Sequence, residues 1–152
     1  MTRLLFAVLL LSSVASAAVD ACAMIPQAQI SSMLGTTKNK GISNNMKLPP
    51  KATEGKVCNY VGKDNSATVI WIKFPTPSGA QDYLKTVRDG LEKQSLKTTS
   101  EKFSGEDGFS FNSGMLAVKK NIWLRVNVYS TGGKVVALDL TRQLMLTALR
   151  AN

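Results

Sequence analysis

The chain has 152 residues, 44% hydrophobic and 19% charged, which suits one buried core and excludes disorder and coiled coil. Having no histidine and only two cysteines, it lacks the usual general base, the Cys/His zinc sites and any Cys-His nucleophile pair. Its formal charge of +9 steers it toward anionic partners.

Met1-Thr2-Arg3 supplies a positive start, Leu4 to Val14 an apolar run, and Ala15-Ser16-Ala17 the small-x-small pattern of a signal-peptidase site. The expectation is cleavage after Ala17, leaving residues 18–152 as one α+β domain in the bacterial periplasm or outside the cell. The apolar run is too short to span a bilayer, which takes roughly 20 residues. Val19-Asp20-Ala21-Cys22 loosely imitates a lipidation site, but Asp20 and the distance from the apolar run argue against it. Losing Arg3 with the signal lowers the charge to +8. In an oxidising compartment the two cysteines have one possible pairing, so Cys22 and Cys58 are expected to form a disulfide. A closed loop of about 37 residues contributes about 3.8 kcal/mol in the chain-entropy account.

Pro26, the apolar face of Ile30, Met33 and Leu34, and Gly35 just beyond predict a helix over 26–34. From 36 to 56 the composition turns to Lys, Asn, Gly, Ser and Pro. Lys38, Lys40, Lys47, Lys51 and Lys56 are opposed only by Glu54, which predicts a long, mobile, basic loop. Val57 to Val61 and Ala67 to Phe74 read as strands of a hairpin turning at Lys63-Asp64-Asn65. Pro75-Thr76-Pro77 stops the second strand, and Ser78 with Gln81 forms a capping box for a helix reaching about Gln94. Gly105 to Gly108 breaks the chain. Phe109 to Phe111, Met115 to Lys119 and Ile122 to Tyr129 then read as strands. Thr131-Gly132-Gly133 ends the run, and Val136, Ala137, Leu140, Leu144, Met145 and Ala148 recur at helical spacing. Strands in adjacent runs imply an antiparallel α+β sheet of four or five strands with three helices, in the order α-ββ-α-β(β)β-α.

The run from Cys22 to Leu34-Gly35, a polar loop, and then Cys58-Asn59-Tyr60 resembles a pattern of exported bacterial proteins: cysteine, helix, Leu-Gly, loop, cysteine-x-aromatic. It is similar to small actinobacterial lipoproteins and to the extracytoplasmic sensor domains of some bacterial Ser/Thr kinases. Gly105-Glu106-Asp107-Gly108-Phe109 approximates the turn that precedes a strand like Leu116 to Val118 there. The resemblance implies a disulfide-pinned α+β domain that binds a ligand or partner, and it carries over no catalytic residue.

The acidic residues, among them Asp82, Glu101, Glu106 and Asp107, show no diagnostic spacing, so no catalytic residue, metal or cofactor is assigned. Alternation in the two longest strands sets Trp123, Arg125, Asn127 and Tyr129 opposite Ile122, Leu124, Val126 and Val128, and Val69, Trp71 and Lys73 opposite Ile70 and Ile72. With both strands in one sheet, Trp71, Lys73, Lys119, Trp123, Arg125 and Tyr129 are expected to form one aromatic and cationic binding surface, joined by Lys38, Lys40, Lys47 and Lys51 of the loop. The competing expectation is that a helix, the first, covers this face and makes the tryptophans core or rim residues. The function expected is a non-enzymatic periplasmic domain binding an anionic partner, such as cell-wall material or an acidic protein, with nucleic acid less favoured. The alternative is an inhibitor or immunity protein that plugs a secreted or cell-wall enzyme with the 36–56 loop.

Overall fold

The computed structural model describes residues 20–35, 42–112, 114–130 and 138–152. The signal segment, Lys38, Lys40, the turn at 131–133, and Val136 and Ala137 lie outside the described residues. After a single 3-10 turn at Ala21–Ala23 come α1 (Gln27–Leu34), β1 (Ile42–Asn45), β2 (Glu54–Val61), β3 (Asn65–Lys73), α2 (Pro77–Lys93), β4 (Thr99–Phe103), β5 (Glu106–Phe111), β6 (Gly114–Lys119), β7 (Ile122–Ser130) and α3 (Leu138–Arg150). One sheet holds all the strands in the order β1-β2-β3-β7-β6-β5-β4, and every neighbouring pair is antiparallel. The antiparallel α+β class and the order of elements agree with the sequence. Among the described residues no helix is long and apolar enough to cross a membrane.

The seven strands exceed the four or five expected, because two edge strands lack an apolar alternation. β1 reads Ile-Ser-Asn-Asn and lies within the segment assigned to the basic loop, whose last residues also begin β2 at Glu54. β4 reads Thr-Ser-Glu-Lys-Phe and pairs with β5 around Ser104 (φ 53°) and Gly105 (φ 91°). Two consecutive left-handed residues are what a two-residue hairpin turn requires. The supposed break at Gly105 is therefore a hairpin. Polar edge strands need only backbone pairing on one side, and they resist pairing with other chains on the other.

The sheet buries both faces. The first carries Cys58, Tyr60, Ala67, Val69, Trp71, Met115, Ala117, Leu124, Val126 and Val128, packed with Ile30 and Leu34 of α1 and Leu144, Met145, Ala148 and Leu149 of α3. The second carries Ile72, Phe109, Phe111, Leu116, Val118 and Trp123, packed with Ala80 and Leu84 of α2 and with Phe74 just beyond β3. The Cys22–Cys58 disulfide forms as expected, tying the 3-10 turn to β2. α2 starts two residues before the expected capping box: Thr76 is its N-cap, accepting from the Gly79 N–H at 3.2 Å, and Pro77 follows in the first turn. Pro77 lacks only an N–H that would have no intrahelical partner there.

Candidate functional site

Directly opposed residues in an antiparallel pair share a face. β3 and β7 are neighbours, and their register sets Trp71 against Leu124 and Ile72 against Trp123. Trp71 and Trp123 therefore lie on opposite faces, which corrects the expectation of a single aromatic surface. Alternation within each strand cannot reveal this, because a one-residue slip of register exchanges the faces.

Both tryptophans are core. Trp71 is 1% exposed and its indole N–H donates to Asn152 Oδ1 at 3.0 Å. Lys119 is on the same face, where its ammonium donates to the Leu149 carbonyl in the last turn of α3, at 2.8 Å. A cation there satisfies a terminal carbonyl and opposes the helix dipole. Lys73 lies opposite Ile122, also on the first face. These three residues thus stand away from Arg125 and Tyr129. Trp123 is 3% exposed beneath α2, its ring meeting Tyr83 at 5.2 Å between centroids in an edge-on arrangement. Its covering helix is the second, not the first.

What remains is the part of the second face that no described helix covers, arranged in rungs across β2, β3 and β7, with Val61 and Tyr129 exposed but Asn127 only 4% exposed. Val61, Ser66 and Tyr129 form the outermost rung, Asn59, Thr68 and Asn127 the next, and Val57, Ile70 and Arg125 the third. A fourth, Gly55, Ile72 and Trp123, marks where cover begins: a Cβ on Gly55 would sit 2.7 Å from the Leu48 side chain, so the segment before β2 lies directly upon it. Val61 and Tyr129 are exposed by 60% and 47%, large values for apolar and aromatic side chains. The second rung is internally satisfied on one side, with Thr68 Oγ1 donating to Asn59 Oδ1 at 2.8 Å.

Arg125 stands where the open and covered parts meet. Its guanidinium is half-buried, lies 5.1 Å from the centre of the Phe111 ring, and donates from Nε to Asn127 Oδ1. Burial draws its pKa below the usual value, while the neighbouring Tyr129 and Tyr83 pull the other way. The group stays cationic. The ion pairs found among the described residues are Arg88–Glu92, Lys102–Asp107 and Arg142–Glu101, and none involves Arg125. A partly desolvated cation whose remaining donors meet no carboxylate among the described residues can take a planar anionic group in a bidentate manner. Alternation singled out Arg125 and Tyr129. It also set Asn127 on that face, whereas the Phe111 platform became visible only through the pairing of β5, β6 and β7.

Of the loop lysines, Lys47 and Lys51 are exposed and lie before β2. Of the acidic residues named above, Asp107 is held by Lys102, and Glu101 by Arg142 and by Ser110, whose hydroxyl donates to it at 3.0 Å.

Among solved structures, the crystal structure of the extracellular domain of PknH from Mycobacterium tuberculosis is similar to this one. The match covers 84% of this chain and 92% of that one, with a TM-score of 0.57 and 10% sequence identity. The likeness is one of fold. It agrees with the kinase-sensor part of the resemblance read from the sequence. No family model matches the chain, and no curated protein matches it in sequence.

Proposed function

We propose that this chain, cleaved after Ala17, is one exported, non-enzymatic binding domain that receives an anionic group of its partner at Arg125, on the open rungs of the second face. The observation that carries this reading is a half-buried guanidinium with no carboxylate partner among the described residues. Holding such a charge away from water costs stability unless something compensates it. Tyr129 near it, and Val61 on the outermost rung, offer contact area of the kind enriched at interfaces. An extracytoplasmic location suits the disulfide and the fold shared with an extracellular domain. The inhibitor reading loses part of its basis, since Ile42–Asn45 of the presumed free loop is paired into the sheet.

Peptidoglycan fragments, which carry free carboxylates, are the first probe. Arg125→Gln preserves most of the side-chain volume and removes the charge, so binding at low salt should weaken at least about tenfold, or about 1.4 kcal/mol. Wild-type binding should itself fall with added salt. Equal affinity of the Arg125→Gln variant and the wild type for every anionic probe bound would remove Arg125 from the site and the proposal with it.

A further inference from the structure

A second concavity lies between the start of α2 and the turn that precedes β2, and encloses about 400 Å³. That volume falls in the range of small-molecule sites. Its floor is aromatic. Phe74 and Tyr83 both line it, with ring centres 5.3 Å apart, and Tyr83 is braced from behind by Trp123. Its α2 wall is polar, with the hydroxyls of Thr76, Ser78 and Thr86 and the carboxylate of Asp82. Asp82 is exposed and enters none of the ion pairs among the described residues.

The opposite lip is Pro50 and Lys51, in a turn closed by the Ala52 N–H donating to the Pro49 carbonyl at 3.2 Å. Lys51 there adopts φ 67°, at a turn position that ordinarily selects glycine or asparagine.

We infer that this cavity is a saccharide site, sized for one or two neutral sugar rings. A wholly apolar ligand would desolvate the Asp82 carboxylate with nothing to compensate it. An anion would meet the Asp82 charge and a cation the Lys51 charge on the opposite lip, so the lining as a whole suits a neutral ligand. A pyranose ring matches both surfaces at once: its C–H face packs on the negative face of an aromatic ring. Its hydroxyls donate to the acceptor-only carboxylate and exchange hydrogen bonds with Thr76, Ser78 and Thr86. The thick polar rim around an aromatic floor distinguishes it from the Arg125 region, where the decisive group is a cation. The two readings are independent, since this ligand carries no charge.

The test is an NMR titration of the exported, disulfide-bonded protein with N-acetylglucosamine, its β-1,4-linked disaccharide, maltose and trehalose, each at about 10 mM, enough to populate a site of millimolar affinity. At least one sugar should shift the amides of residues 50–52 and 76–86. Asp82→Asn, at an exposed position, and Thr86→Arg, which fills the cavity, should each weaken that response at least tenfold, while Lys93→Gln, exposed in the last turn of α2, leaves it unchanged. Absence of shifts with all four sugars, shifts confined to the β7 rungs, or wild-type binding by both cavity variants would overturn the assignment.

Discussion

Tyr60 shows how much one side chain can hold in this domain. It is 1% exposed, two residues beyond Cys58, and its hydroxyl donates to the Cys22 carbonyl at 2.9 Å, so it secures the same junction as the disulfide. Burial, and secondarily the nearby Asp20 charge, push its pKa up to about 12. Folding therefore favours the protonated form, and its contribution is complete below the unfolded value of about 10 and lost as pH rises through about 12. We predict a fall of about 2 kcal/mol in unfolding free energy across that window, followed by chemical denaturation at successive pH values. Tyr60→Phe should be less stable at neutral pH by about 1 kcal/mol and should show a much smaller alkaline decline. Trp123 is the opposite case: its indole nitrogen is buried with no acceptor among the described residues, so packing against Tyr83 and the sheet holds it without help from its polar atom. The resemblance picked out Tyr60 only as the aromatic of a cysteine-x-aromatic pattern. Its hydroxyl partner is 38 positions away, beyond any local reading.

Each element is fixed by a few specific ties. The disulfide joins β2 to the 3-10 turn ahead of α1, and α1 closes against the β2–β3 turn so tightly that a Cβ on Gly62 would fall 2.1 Å from the Leu34 carbonyl oxygen. Gly108 has a similar role in β5, where an added Cβ would meet the Leu116 carbonyl at 2.1 Å and the Phe103 ring at 2.7 Å. We expect Cys58→Ser to lower stability by about 2–4 kcal/mol, measured by urea denaturation, because it frees the unfolded chain and unpins this corner. Thiol titration of the native protein should find no free sulfhydryl. The far edge is tied differently: Arg142 of α3 pairs with Glu101 of β4 and lies 5.4 Å from the centre of the Phe103 ring. β4 was missed in the sequence because Ser100, Glu101 and Lys102 carry no β signal. The strand exists because β5 and α3 offer partners for its backbone and its carboxylate.

At the scale of the molecule, a single sheet separates two apolar clusters, each with its own tryptophan. Trp71→Ala and Trp123→Ala should both destabilise by about 3–5 kcal/mol in denaturant titrations, since each empties a packed site under a different helix. If instead Trp123→Ala were nearly neutral, the second face under α2 would be no core. α2 lies over β6 and β7 and leaves the β2 end of that face uncovered by any described helix. Arg125 owes its position to that offset. It is close enough to the covered part to stack on Phe111 and to be partly desolvated, and close enough to the open part for its charge to face a partner.

The order of helices and strands, the disulfide and the inward set of β7 were legible in the sequence, because each depends on local spacing, on turn residues or on a count that leaves one pairing. Composition likewise excluded histidine-dependent chemistry. Which strands are neighbours, and in what register, depended on contacts between residues far apart in the chain. Alternation gives two faces per strand but does not say which face of one strand continues which face of the next. The strand pairing alone sent Trp71 and Lys119 to the α3 side and Trp123 and Arg125 to the α2 side, and so divided one imagined surface into two cores and a separate cationic site.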